Sequence, residues 1–186
     1  MALHHMFDAA FPPPKAYPGT QAAAGYIGGN TPHIWTLDEW LRFRHLRQLP
    51  IWVADLGADP ALSGRRAAQA ARGLGWQPFA AVRRAIVADM ETSADSRWVN
   101  QFADAVAAHG FVTWVYGSLS SVLSNPARDG YWVASWDGVP DVEPIPHVVA
   151  HQYAPNIPWE GTAVDLSVLA AEAWERLGRG PRRHVR

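Results

Sequence analysis

Asp89-Met90-Glu91 closes the apolar run Ala85-Ile86-Val87-Ala88. In a strand, residues two apart face the same way, so both carboxylates are expected to project together from one strand end. Neighbouring carboxyls in different surroundings can sit in different protonation states, one giving a proton while the other stays ionised. Cleavage of a glycosidic bond needs such a pair. The triplet also suits a structural pair that caps a strand or binds a backbone amide, and three residues alone do not choose. Polar groups recur late in other apolar runs: Asp8, Asp55, Tyr116, Trp136, Asp137, Gln152, Tyr153 and Asp165. In a barrel of parallel strands these ends open onto one face, where active sites lie. Closure makes the first and eighth strands neighbours, which would bring Asp8 and Asp165 to the Asp89–Glu91 pair.

Short apolar runs alternate with helical segments in the first two thirds of the chain, the pattern of a parallel sheet with crossover helices. Strands are expected over 6–11, 24–28, 51–56, 85–91, 111–116, 131–136, 147–153 and 163–166. Thr36-Leu37-Asp38-Glu39 reads as a capping box opening a helix to about Gln48. Asp59-Pro60 reads as a cap and first turn of a helix to about Leu74. A third helix is expected from Ser93 to His109, with Trp98, Phe102 and Val106 on one face. Trp76–Arg84 reads as a connecting turn of helix, Ser118–Ser124 as one or two turns, and Ser167–Leu177 as a last helix. These elements predict a small TIM-like (β/α) barrel with helices mainly between the first five strands, residues 1–178, followed by a basic tail over 179–186. A doubly wound open sheet is the alternative.

The 186 residues suffice for one domain with a substantial core. A net charge of −1 gives no general attraction to polyanions, so nucleic acid is not expected as a partner. The absence of cysteine excludes disulfides and thiolate metal sites. No apolar run is long enough to span a membrane, and the N-terminus lacks a signal-peptide pattern, so synthesis in a cytoplasm is expected. Lys15 is the single lysine among 16 basic residues, and Arg179, Arg182, Arg183 and Arg186 make the tail basic. Ten tryptophans suit a core as well as sugar-stacking surfaces. His147 and His151 are four apart, but on a strand they lie too far apart to share a metal ion easily, and no cofactor is implied. His4-His5 reads as an exposed pair. A nucleotide-handling open sheet would want a glycine-rich loop opening a helix, and Gly28-Gly29-Asn30 runs into Thr31-Pro32 instead.

From Phe7 to Leu169 the chain resembles the glycoside hydrolase family 25 lysozymes. It is closer still to glycoside-hydrolase-like domains of unknown function from actinobacteria and their phages. The resemblance rests on Phe7-Asp8, Gly25-Tyr26-Ile27-Gly28-Gly29, Asp89-Met90-Glu91, Val115-Tyr116-Gly117-Ser118, Tyr131-Trp132-Val133-Ala134-Ser135-Trp136, His151-Gln152-Tyr153 and Val164-Asp165-Leu166, in that order. It implies a barrel that cleaves a β-linked amino-sugar polymer of bacterial peptidoglycan. It further implies Glu91 as general acid, Asp89 in support, and Asp8 and Asp165 completing an acidic cluster. The run Asp8-Ala9-Ala10-Phe11-Pro12 departs from the Asp-x-Ser that the lysozymes carry there.

On this view burial and negative neighbours raise the pKa of Glu91. Tyr116, Trp136 and Tyr153 could stack on sugars, Gln152 could bond a sugar hydroxyl or tie down a loop, and Asp55 could touch substrate or end its strand. The competing reading is a catalytically inactive lysozyme-like barrel that binds wall glycan or serves as a structural part of a virion or surface assembly. Activity at the cell wall or within a phage particle is the corresponding location.

Overall fold

The computed structural model describes residues 2–77, 83–91, 95–125, 129–142 and 144–179. The strands are β1 (His4–Asp8), β2 (Ala22–Gly29), β3 (Arg47–Val53), β4 (Ala85–Asp89), β5 (Val112–Ser118), β6 (Gly130–Ala134), β7 (Val148–Trp159) and β8 (Thr162–Leu169). Each pairs with the next, and β8 pairs with β1, so the eight form a closed ring. Helix α1 (Leu37–Arg42) follows β2, α2 (Pro60–Gly73) follows β3, α3 (Ser96–Ala108) follows β4 and α4 (Leu119–Ser124) follows β5. After β8 come one turn of helix, α5 (Ala171–Trp174), and a short strand, β9 (Gly178–Arg179). The small α/β barrel read from the sequence is the fold.

The ring is mixed rather than wholly parallel. β8 runs antiparallel to both β7 and β1, while the pairs from β1 to β7 are parallel. Antiparallel neighbours need no crossover helix, and none lies between β7 and β8. The connection between β7 and β8 is a two-residue turn, Glu160-Gly161, with φ of 48° and 82°. Positive φ at both central residues makes the turn whose twist matches that of the strands it joins. The hairpin therefore reaches from Val148 to Leu169, well past the expected limits of both strands.

Other boundaries moved for tertiary reasons. The first helix stops at Arg42, because Arg47 and Gln48 already pair with Ala22 and Ala23 of β2 and with β9. Pro50, which lacks an N–H, falls between the stretch of β3 that pairs with β9 and the stretch that pairs with β4. The expected last helix loses Ser167–Leu169 to β8, which closes the ring. His4 belongs to β1 and stacks on Trp174 of α5, with ring centroids 4.1 Å apart, while His5 is exposed. Arg179 is held in β9 opposite Arg47 rather than in a free tail. The remaining tail residues and most of the expected connecting turn at 76–84 lie outside the described residues.

Alternation sorts the core into two layers. Met6, Ala24, Ile51, Val87, Trp114 and Trp132 fill the inside of the barrel, with Ala173 and Leu177 packed against the same cluster. Phe7, Trp52, Ile86 and Val115 face outward and meet Trp40, Ala67, Phe102 and the rest of the helical shell. Asp59 caps α2 through Leu62 N, and Asp95 caps α3 through Arg97 N and Trp98 N. At Gly64 a Cβ would lie 2.5 Å from the Phe102 carbonyl oxygen, so glycine there lets α2 and α3 pack closely. The helices fix the strands from outside and leave the barrel's C-terminal mouth to the loops.

Candidate active site

At the mouth end the inward positions change from apolar to polar. Asp8 of β1, Tyr26 of β2, Asp89 of β4, Tyr116 of β5, Gln152 of β7 and Asp165 of β8 each continue the inward parity of their strand. Asp8 stands opposite Asp165, and Asp89 opposite Tyr116, in register. Asp165 is only the fourth residue of β8, yet it reaches the mouth because β8 runs the other way. The parallel expectation put it at the right end for the wrong reason.

Gln152 joins the two sides. Its buried side chain donates from Nε2 to Asp8 Oδ1 and Oδ2 at 3.3 and 3.2 Å and to Asp165 Oδ2 at 3.4 Å. Its Oε1 accepts from the Tyr116 hydroxyl at 2.9 Å and from Trp136 Nε1 at 2.7 Å. These four partners fix which end of the amide faces the carboxylates. Asp165 Oδ1 also accepts from the backbone N of Asn156 at 2.6 Å. Asn156 has φ 56° and lies where the β7–β8 register slips between Ala154 and Ile157, so an irregular strand segment aims that N–H at the carboxylate.

Asp8 and Asp89 are buried, at 5% and 4% exposure. Burial, then the charge of Glu91, pushes the Asp89 carboxyl up to about 8, against the pull of the Glu91 backbone N–H. Burial first, then Asp165, Asp89 and Glu91, holds Asp8 well above the usual carboxylate range, while its bond to Gln152 pulls the other way. Burial raises Asp165 too, opposed by the Asn156 N–H. Burial and the surrounding carboxylates raise the phenols of Tyr26 and Tyr116, which stay protonated and able to donate. Crowding and burial thus raise all three carboxyls, and Asp89 keeps its proton at neutral pH.

Glu91 departs from its expected setting. β4 ends at Asp89, and Asp89 Oδ1 accepts from Glu91 N at 3.3 Å, a local turn in place of two residues on one strand face. Met90 between them is buried in the outer core, and Glu91 itself is exposed. Burial falls on Asp89 and Asp8 instead. Glu91 nevertheless adjoins the cluster, since its charge acts on Asp8, Tyr26, Asp89 and Tyr116.

Trp136 is 57% exposed, in the left-handed region at φ 55°, with its indole N–H anchored on Gln152. Tyr153 is not in the cluster. It follows Gln152 and so faces outward, lining a cleft with Tyr17, Pro18 and Thr20. Asp55 lies beyond the end of β3, is exposed, and accepts from Gly57 N at 3.0 Å, which makes it a turn residue. His151 is fully buried, bonds Ser135 Oγ and the Asp141 carbonyl, and ties the 135–141 loop to β7. His147 precedes β7 at φ 69°, so the two histidines do not share a strand face. Among the described residues no group of three or more His, Asp or Glu is arranged to hold a metal ion. Sequence reasoning passed over Tyr26 and Asn156. Parity from Ala22 and Ala24 could have found Tyr26, whereas nothing in the sequence marked the irregularity at Asn156.

No protein-family model and no curated protein sequence matches the chain. Solved structures do resemble it. An uncharacterized B. stearothermophilus protein superposes with a TM-score of 0.73 at 18% identity, over 94% of this chain and 99% of that one. A family 25 glycosyl hydrolase from Bacillus anthracis gives 0.65 at 12% identity, over 94% and 93%. The modular autolysin LytC from Streptococcus pneumoniae, in complex with a synthetic peptidoglycan ligand, gives 0.66 at 12% identity. That match covers 90% of this chain and 47% of the autolysin. At these identities the likeness is one of fold.

Proposed function

We propose that the protein is a glycoside hydrolase of the lysozyme (muramidase) type, cleaving a β-linked amino-sugar polymer of bacterial peptidoglycan at the cell wall. The observation that carries the reading is the convergence of Asp8, Asp89 and Asp165, from three strands, beside Glu91 in a setting that raises all three carboxyls. The shared fold with a family 25 glycosyl hydrolase and with a peptidoglycan-bound autolysin supports it.

Asp89 keeps its proton up to about pH 8, with Glu91 next to it. That proton passes through Glu91, acting as general acid, to the leaving glycosidic oxygen. Asp89, left ionised, orients the substrate's acetamido group and stabilises the positive charge that develops on the sugar ring. Attack comes from a carboxylate or from the acetamido oxygen itself. Asp8 and Asp165 complete the acidic cluster, and Trp136 offers the sugar a face on which to stack.

The test is release of soluble muropeptides from purified cell walls. Glu91→Gln should lower the rate at least about 100-fold while leaving the unfolding midpoint unchanged. The rate should also fall as pH rises through about 8, where Asp89 loses its proton. The exposure of Glu91 favours a second reading, a non-catalytic barrel that binds wall glycan or serves a surface assembly. Binding of walls by the wild type, with no release from several wall types, would establish that reading and overturn the first.

A further inference from the structure

We propose that Gln152 is a positioning residue that couples the charge state of the Asp8–Asp165 pair to the seating of the Trp136 indole at the mouth. The sequence suggested a bond from Gln152 to a sugar hydroxyl. The geometry leaves none to give: Nε2 is engaged by two carboxylates and Oε1 by two donors. A sugar hydroxyl could enter only by displacing one of four partners in a buried site, at the cost of an unpaired polar group.

One end of this amide touches charge and the other touches an exposed aromatic. Trp136 lies just beyond β6, and its backbone N–H and that of Ser135 reach the Gln152 carbonyl oxygen, both at 3.3 Å. Trp136 holds a left-handed backbone that a bulky residue adopts only when its surroundings compel it. The indole N–H bond to Oε1, at 2.7 Å, is the side-chain contact that sets where the ring lies. When the carboxylate pair is ionised, Nε2 is held by charge-assisted bonds, and the polarised amide accepts more strongly at Oε1. Protonating the pair weakens both ends together. Trp136 is thus a platform whose hold depends on the carboxylates' charge, 57% exposed and free to take the apolar face of a pyranose.

Other titratable groups also face this cluster: Asp89 and Glu91 at the end of β4, Tyr26 on β2 and Tyr116 on β5. On the loop side, Asp137 follows Trp136 and lies 3.8 Å from His151. The test must therefore separate Asp8 and Asp165 from these. The inference rests on the glycosidase reading only for what stacks on Trp136, so its main measurement needs no substrate.

The experiment is nitrogen-15 NMR of the full chain, whose ten tryptophans give ten indole N–H signals. Loss of one signal in Trp136→Phe assigns it. In the wild type this signal should shift with pH in step with the Asp8 and Asp165 carboxyl carbons. In Asp165→Asn, which keeps the fold's shape and removes one charge, the indole shift should move to the single remaining titration. In Gln152→Leu it should move to the position of an unbonded indole and lose its pH response. An indole signal that ignores carboxyl ionisation in the wild type, or stays in place in Gln152→Leu, would overturn the coupling. Should Gln152→Leu not fold, Asp165→Asn and Trp136→Phe carry the test alone, because the second should shift the Asp8 and Asp165 titration by removing one of the two partners of Oε1. On glycan, Trp136→Ala should raise KM about tenfold with a smaller change in kcat. If that fails while the NMR coupling holds, the substrate assignment falls and the positioning role stands.

Discussion

A carboxyl pushed up to about 8 makes Asp89 a source of pH-dependent stability. Its folded pKa is raised, so the folded state binds the proton more tightly than the unfolded chain. That contribution is complete below the ordinary carboxylate pKa of about 4 and is lost as pH rises through about 8. Asp8 and Asp165 are raised as well and act in the same direction. Urea unfolding should therefore show stability falling between about pH 4 and pH 8, by up to about 1.4 kcal/mol per pH unit for each proton held only in the fold. Asp89→Asn keeps an acceptor for the Glu91 N–H and cannot ionise. It should match the wild type near pH 3 and exceed it near pH 9; a variant equally sensitive to pH would show that Asp89 is not the source. Alternation with barrel closure was enough to gather Asp8 and Asp89, whereas Asp165 joins them because β8 runs opposite to the expected sense. The setting of Glu91 was not legible, because an Asp–backbone turn and a continuing strand have the same Asp-x-Glu spelling.

The hairpin of β7 and β8 shows what element-level reading catches and misses. Apolar runs marked both strands, but Pro155 and Pro158 in the first disguised its length, and Glu160-Gly161 is a weaker turn signal than Asn-Gly. Strand direction left no trace, since alternation is the same in either sense. Caps, by contrast, are local chemistry, and Thr36, Asp59 and the end of α2 were read nearly to the residue. Two substitutions test the turn by thermal unfolding. Gly161→Ala puts a Cβ at φ 82° and should cost about 1–2 kcal/mol, a fall in Tm of roughly 2–8 °C. Glu160→Asn suits φ 48° better and should raise Tm slightly, although it gives up the surface ion pair with Lys15. If Gly161→Ala is neutral, the chain does not turn at these residues.

Across the whole molecule, closure makes the strands depend on one another. The chain's first strand lies against its eighth, and β9 returns to brace β3. A ring whose interior is filled from most of its strands has no obvious place to come apart in halves. Tryptophan fluorescence and far-ultraviolet circular dichroism should therefore report one coincident urea transition; two separated transitions would mean that the hairpin or the helical layer unfolds alone. The barrel class was legible because βα alternation is repeated four times before it fades. The mixed sense of the ring was not, because it depends on a partner more than a hundred residues away. That β1–β8 seam also sets two acids face to face, Asp8 and Asp165, where the ends of the fold are laced together. Alkaline conditions charge both sides of the lacing at once. The backbone amides of Phe7 and Leu166 should then be the first in the sheet to lose their protection against deuterium, so the seam that assembles the acids is also where the fold begins to open.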